Sequence, residues 1–141
     1  MCYNTFMKIF IFLLGLLFLQ NSCQNNQDNS NQVNNKYMYQ DLKVQDFEQG
    51  INQTDVIILD VRTPSEYQEG HIKGAKLINI SAPTFESQID ELDKSKKYYV
   101  YCRSGGRSSS AASFMIEKGF EQVYNLQGGI IAWLGANKSV E

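Results

Sequence analysis

Seven consecutive residues carry most of the reactive chemistry of this chain: Cys102-Arg103-Ser104-Gly105-Gly106-Arg107-Ser108. Only three arginines occur in the 141 residues, Arg62, Arg103 and Arg107, and two of them lie in this stretch, separated by Ser104, Gly105 and Gly106. The run Tyr98-Tyr99-Val100-Tyr101 before it reads as a buried strand, and Ser108 to Lys118 after it as a helix. A strand that passes through glycines into a helix start lets backbone amides converge, and the helix adds about half a positive charge at its N-terminus. The product is an anion cradle. A thiol at the mouth of such a cradle ionises readily, because helix N-termini and cationic neighbours draw a cysteine pKa from about 8.5 down to roughly 3.5–7.5, and the thiolate is the nucleophile. The plainer reading of Cys102, a buried strand-end cysteine before an ordinary glycine turn, fits any lone cysteine. Strand, cysteine, polar glycine loop and helix together, with both arginines inside the loop, outweigh it.

The elements that position this loop alternate between two periodicities. Val56-Ile57-Ile58-Leu59 is a continuous β-branched run of the kind covered on both faces in a parallel sheet. Lys76 to Ile80 and Gln122 to Leu126 are two further strands, and a short first strand lies near Tyr39 to Leu42. Helical spacing puts Val44, Phe47 and Ile51 on one face of Val44 to Ile51. It does the same for Phe85, Ile89 and Leu92 in Pro83 to Leu92, with Pro83 in the first turn. In the helix after the loop, Ala111, Phe114 and Met115 face inward and Gly119 sits where a C-terminal cap belongs. Strands alternating with helices predict an α/β domain with a mostly parallel sheet, and ligands in such folds bind beyond the carboxyl ends of the strands. Cys102 follows one such end; Asp60 and Arg62 follow another at the same edge, where an ion pair or hydrogen bond between them would brace the site.

Composition narrows the function. Thirteen basic against 15 acidic residues give a formal charge of −2, which excludes a nucleic-acid partner held by bulk electrostatics. Two prolines, ten glycines and no long repeat exclude collagen-like and solenoid architectures. The three cysteines, Cys2, Cys23 and Cys102, make no disulfide framework and no CxxC pair, so no metal and no cofactor is expected. His71 is the only histidine. Between Gly70 and Ile72 it reads better as a structural hydrogen-bonder than as a general base. Glu66 suits an acceptor of nearby backbone amides or of Arg62, or else a solvated helix charge. Trp133, Tyr98, Tyr99 and Tyr101 read as packing.

The N-terminal part has a different character. Ile9 to Leu19 is an 11-residue apolar run behind Lys8, a secretory signal layout about half as long as a bilayer span. No A-x-A cleavage site is available, because the first alanine is Ala75. From Gln24 to Asn35, nine of twelve residues are Asn or Gln, a composition that buries too little surface to order itself. The expected organisation is a removed signal peptide over 1–22, a flexible tether over 23–36, a folded domain over 37–137 and a tail over 138–141. Leu19-Gln20-Asn21-Ser22-Cys23 resembles the lipobox of bacterial lipoproteins, although Leu19 stands one place earlier than the family favours. That resemblance implies a lipid on Cys23 and an exported, periplasmic or membrane-associated protein.

The core of the chain resembles single-domain rhodaneses. The resemblance rests on Cys102 to Ser108, on Leu59-Asp60-Val61-Arg62-Thr63-Pro64-Ser65-Glu66-Tyr67 continuing through Gly70-His71-Ile72-Lys73-Gly74-Ala75, and on Leu126-Gln127-Gly128-Gly129 with Trp133. It implies an α/β rhodanese-like domain, a central five-stranded sheet flanked by helices on both faces, and a sulfurtransferase. In that chemistry Cys102 would carry a persulfide taken from a thiosulfate-like donor and pass its sulfur to cyanide or a thiol. The loop from Arg103 to Ser108 would hold the anion, Arg103 and Arg107 attracting the donor, with Asp60, Arg62, Glu66 and His71 in support; a monomer is expected. A second reading is a tethered module that carries persulfide or another anion without significant turnover. A third is a phosphatase of the same fold. Those phosphatases place five residues between cysteine and arginine, whereas Cys102 and Arg107 enclose four, a ring better sized for one sulfur atom than for a phosphate.

Overall fold

The computed structural model describes Met38 to Glu141, so the expected signal peptide, Cys23 and the tether lie outside the described residues. Five strands, β1 (Gln40–Leu42), β2 (Val56–Asp60), β3 (Lys76–Leu77), β4 (Lys97–Tyr101) and β5 (Gln122–Leu126), form one sheet in the order β1-β5-β4-β2-β3. Every neighbouring pair is parallel. The helices are α1 (Val44–Ile51), α2 (Pro64–Gln68), α3 (Phe85–Asp90), α4 (Gly106–Glu117) and α5 (Gly129–Gly135). This is the α/β layout the sequence predicts, with the sheet wholly parallel.

Strand alternation divides the core in two. Tyr98, Val100 and Cys102 point to one face, where they pack with Phe85 and Ile89 of α3 and Ala111, Ala112 and Met115 of α4. Tyr99 and Tyr101 point to the other, with Phe47 of α1 and Ile130 and Trp133 of α5. Burying β4 on both sides is why its sequence is a continuous apolar and aromatic run.

Several boundaries differ from the sequence expectation, each for a local reason. β3 stops at Leu77 instead of Ile80, although the Ile78 and Ile80 amides still donate to the carbonyls of Asp60 and Val61. The Asn79 side chain accepts from the Ser81 amide and turns the chain off the sheet edge. α3 begins at Phe85, so Pro83 precedes the helix instead of occupying its first turn. α2 forms under Thr63, whose hydroxyl and the Glu66 carboxylate make a reciprocal capping box with Pro64 in the first turn. α4 starts at Gly106, two residues before Ser108, which puts Arg107 and Ser108 on its first turn. It ends where Gly119, at φ +90°, lets its own amide reach the Ile116 carbonyl and that of Phe120 reach Met115.

The residues read as a tail, 138–141, are stitched down. His71 and Glu141 exchange backbone hydrogen bonds of 2.9 Å in both directions, and the Trp133 indole donates to the Ser139 carbonyl at 3.0 Å.

Candidate active site

β2 and β4 end side by side, with Asp60 opposite Tyr101 in register and the Val61 amide on the Tyr101 carbonyl at 3.0 Å. Cys102 is the first residue past β4. Its side chain lies at the floor of the loop, not at the mouth as expected: the residue is 1% exposed and belongs to the core beneath α4. The strand's alternation causes this, since Cys102 continues the inward-facing series of Tyr98 and Val100.

At that depth Sγ is surrounded by donors. The Gly105 amide donates to it at 3.1 Å. Ser108 Oγ lies 3.4 Å from Sγ and 3.1 Å from the Gly105 carbonyl, so its single proton serves one or the other and turns to sulfur when sulfur is anionic. Burial alone pushes the thiol pKa up; the Ser108 hydroxyl and the amides of Ser108, Ser104 and Gly105 more than offset it and hold Cys102 below its ordinary value. The loop turns at Gly105, whose φ of +100° only glycine adopts readily.

The direction of the loop amides is set from outside the loop. Ile130 N–H donates to the Cys102 carbonyl at 2.9 Å and Ile131 N–H to the Arg103 carbonyl at 3.2 Å. In a planar trans peptide the C=O and the following N–H point opposite ways. Carbonyls drawn out toward α5 therefore turn the Arg103 and Ser104 amides back into the ring. The approach is close: a Cβ on Gly129 would sit 2.5 Å from the Cys102 oxygen and 2.6 Å from the Arg103 carbonyl carbon. Sequence reasoning noticed Gly128 and Gly129 only as part of a family turn; their proximity to the loop is a tertiary fact that no local pattern announces.

The charged residues divide into three kinds. Asp60 and Arg62 form a buried pair, Nη2 to Oδ2 at 2.6 Å and Nε to Oδ1 at 2.9 Å, and Nη2 also donates to the Gly70 carbonyl at 2.8 Å. Burial works against the Arg62 charge and the Asp60 carboxylate more than restores it, so its pKa is raised. Tyr101, expected to be packing alone, also belongs here. Its hydroxyl accepts from the Ile72 amide at 3.0 Å, its ring lies 5.6 Å under the Arg62 guanidinium, and burial beside Asp60 drives the phenol far above its ordinary range.

Glu66 meets Arg107, not Arg62. The two form a bidentate pair at 2.6 and 2.8 Å, while Glu66 Oε2 also accepts from the Thr63 amide at 3.1 Å. The Arg107 guanidinium, helped by Thr63, lowers the Glu66 carboxyl to about 2. Glu66 therefore fixes Arg107 as a strut of the loop, where the Cys102 sulfur also supports its charge. Arg103 is exposed and, among the described residues, has no carboxylate partner. His71 stacks on Tyr67 with centroids 3.7 Å apart, donates from Nδ1 to the Tyr67 carbonyl at 3.1 Å and approaches Glu141 at 3.7 Å. These contacts tie His71 to α2 and the C-terminal segment, a structural hydrogen-bonding position. Among the described residues no group of His, Cys, Asp and Glu is placed to hold a metal ion.

A floor of inward N–H groups around one sulfur, with its thiolate favoured and a lone cation at the rim, can stabilise a small sulfur-centred anion covalently attached to Cys102. Comparison with known proteins agrees with this chemistry. Residues 43–136 match the rhodanese-like domain family. The chain is similar to the thiosulfate sulfurtransferase GlpE of Pseudoalteromonas translucida, 37% identical over 61% of this chain and 80% of that protein. It is also similar to a tRNA uridine(34) hydroxylase of Cytophaga hutchinsonii, 40% identical over 65% of this chain but only 30% of that longer protein. Among solved structures, a rhodanese-related protein from Thermoplasma volcanium superimposes with a TM-score of 0.65 and 31% identity, over 73% of this chain and 98% of the other.

Proposed function

Because the chain belongs to the rhodanese-like domain family, with rhodanese-type sulfur transfer as its family-level chemistry, we propose that it is a thiosulfate sulfurtransferase working through a persulfide on Cys102. The observation that carries the reading is Cys102 Sγ under the Gly105 amide at 3.1 Å and the Ser108 hydroxyl at 3.4 Å, in a loop with four residues between Cys102 and Arg107.

The thiolate attacks the outer sulfur of thiosulfate; the new S–S bond forms on Sγ, and the old one breaks with its electron pair leaving on sulfite. The transferred sulfur keeps its negative charge and takes hydrogen bonds from the Arg103 and Ser104 amides that α5 turns inward. Arg103 draws the dianionic donor to the rim. Cyanide or a thiolate then attacks the outer sulfur, and the electron pair of the Cys102 persulfide bond returns to Sγ. Each step is redox-neutral overall and needs no group beyond donor and acceptor. The four-residue spacing speaks against phosphate as cargo.

The test is thiosulfate:cyanide turnover of the full-length protein beside Cys102→Ala. Thiocyanate release in the parent and none in the variant is expected; release that persists in the variant overturns the reading. A stable persulfide mass on Cys102 without turnover would make the protein a carrier instead. The apolar run Ile9 to Leu19 and the Ser22-Cys23 pair support a further proposal of an exported protein held by lipid on Cys23. Membrane association that survives Cys23→Ser would refute it.

A further inference from the structure

Four large apolar side chains are exposed among the described residues: Met38 (64%), Ile131 (53%), Leu134 (49%) and Val140 (37%). Met38 borders a separate hollow with Tyr39 and Ile116, whereas the other three line one cleft of about 490 Å³. Ile131 and Leu134 stand three residues apart on α5 and so share a face of that helix. Exposed apolar groups gathered in one place mark a contact surface; scattered ones do not.

The charges of the cleft say what covers it. Arg62 and Glu66 also line it, but each already has its ion-pair partner, Asp60 and Arg107, at 2.6 Å. That leaves Arg103 and Glu69, both exposed, and among the described residues neither is ion-paired with the other or with any third group. One free cation and one free anion beside an apolar wall make a surface that is its own complement. A two-fold axis brings residue i of one copy to residue j of the other and j to i, so each Arg103 can meet the Glu69 of the second copy. The α5 face that walls one cleft can likewise enter the cleft opposite. A partner of a single charge sign would leave one of the two groups unmatched.

We propose that this cleft is a self-association surface whose occupant is a second copy of the chain. The two copies form a two-fold symmetric pair, held by Ile131, Leu134 and Val140 of each and closed by two ion pairs between Arg103 and Glu69. Three apolar side chains and one ion pair a side fall short of the roughly 1,200–2,000 Å² buried in stable complexes, so the pair is weak and reversible. The cysteine loop is complete within one chain, and the monomer expected from the sequence is the dissociated form of this equilibrium.

Sedimentation velocity of the full-length protein, from low micromolar to near-millimolar concentration, should show a reversible shift from one copy to two. Glu69→Arg and Arg103→Glu each change an exposed side chain. Either should raise the Kd of self-association about tenfold or more, because the axis turns one substitution into two like-charge contacts. An equimolar mixture of the two variants should associate again, since every contact then joins an arginine to a glutamate, and the chain carrying both substitutions should do the same. Leu134→Asp, which puts a carboxylate into the apolar contact, should abolish association. A parent protein that stays monomeric throughout overturns the proposal. So does association that both charge variants leave unchanged, because a contact made through the apolar run Ile9 to Leu19 would be indifferent to them.

Discussion

The segments that follow β2 and β4 leave the sheet side by side, yet they are secured in different ways. After β2, Asp60 and Arg62 are two residues apart, buried, and joined by four hydrogen bonds counting the backbone. After β4, the cysteine loop depends on distant partners: Ile130 and Ile131 on its carbonyls, and Glu66, 41 residues away, on Arg107. The first arrangement is a frame that forms wherever the strand forms. The second assembles only when α2, α4 and α5 are all in place, so the site's electrostatics report on the whole fold. A local buried pair supplies rigidity; a long-range, half-exposed one supplies adjustability.

Removing one partner from each pair should separate the two most clearly. Asp60→Ala leaves the Arg62 charge no carboxylate, with just the Gly70 carbonyl and the Tyr101 ring beside it, and unfolding free energy should drop by about 3–5 kcal/mol, the usual penalty for a buried charge deprived of its partner. Glu66→Gln should lose less than half as much, because the Arg107 side chain retains 33% exposure and water can take over. Urea melts of both variants measure this, and equal losses would erase the distinction between frame and strut.

Acid should dissolve the strut selectively. The Glu66 carboxyl is lowered from 4.5 to about 2, so the folded protein holds this proton more weakly than the unfolded chain. Its contribution is complete above about pH 4.5 and is lost as the pH falls through about 2. Allowing for solvent screening, it amounts to roughly 1–2 kcal/mol. The stability gap between the parent and Glu66→Gln should therefore be constant from pH 7 to 5 and close toward pH 2. A gap that persists unchanged at pH 2 would mean the carboxylate stabilises by shape and not by charge.

The sequence shows the frame better than the strut, and the reason is range. Periodicity and turn chemistry locate all five strands, and α1 falls exactly where Val44, Phe47 and Ile51 place it, because these signals act over a few residues. Cys102 and its loop stand out for the same reason. The partnership of Glu66 with Arg107, the grip of α5 on the Cys102 and Arg103 carbonyls, and the role of Tyr101 under Arg62 connect residues with no local relation. The depth of Cys102 is contained in β4 alternation, since counting on from Val100 turns it inward, but the loop chemistry alone points to the rim. The docking of 138–141 onto His71 has no composition signal, since backbone exchange between two short segments is indifferent to side-chain type.

The hold of α5 on the loop can be tested one hydrogen bond at a time. Ile131 occupies the first turn of α5, where proline is tolerated, and its side chain is exposed. Ile131→Pro removes the donor to the Arg103 carbonyl, whereas Ile131→Ala keeps it. A net hydrogen bond of about 0.5–1.5 kcal/mol corresponds to at most about one unit of thiol pKa. The pH profile of Cys102 alkylation should therefore move upward in the proline variant and stay in place in the alanine variant. Two coincident profiles would show that the loop orients its amides unaided.

A finer contrast lies between the two glycines at the centre of the loop, identical in type and adjacent in sequence. Gly105 has φ +100°, and a Cβ there would lie 3.2 Å from the Gly128 amide nitrogen. Gly106 is the first residue of α4, its φ is ordinary, and a Cβ would meet nothing within 4 Å. Gly105→Ala should destabilise by about 1–2 kcal/mol through left-handed strain. Gly106→Ala should stabilise by about 0.4–1 kcal/mol, because it restricts the unfolded chain more than the folded one. Thermal melts of the two variants should move in opposite directions. If stability behaves this way but Gly106→Ala slows persulfide formation, then the bare backbone at Gly106 serves the approach of the donor, and the two glycines do separate jobs: one bends the loop, the other leaves it open.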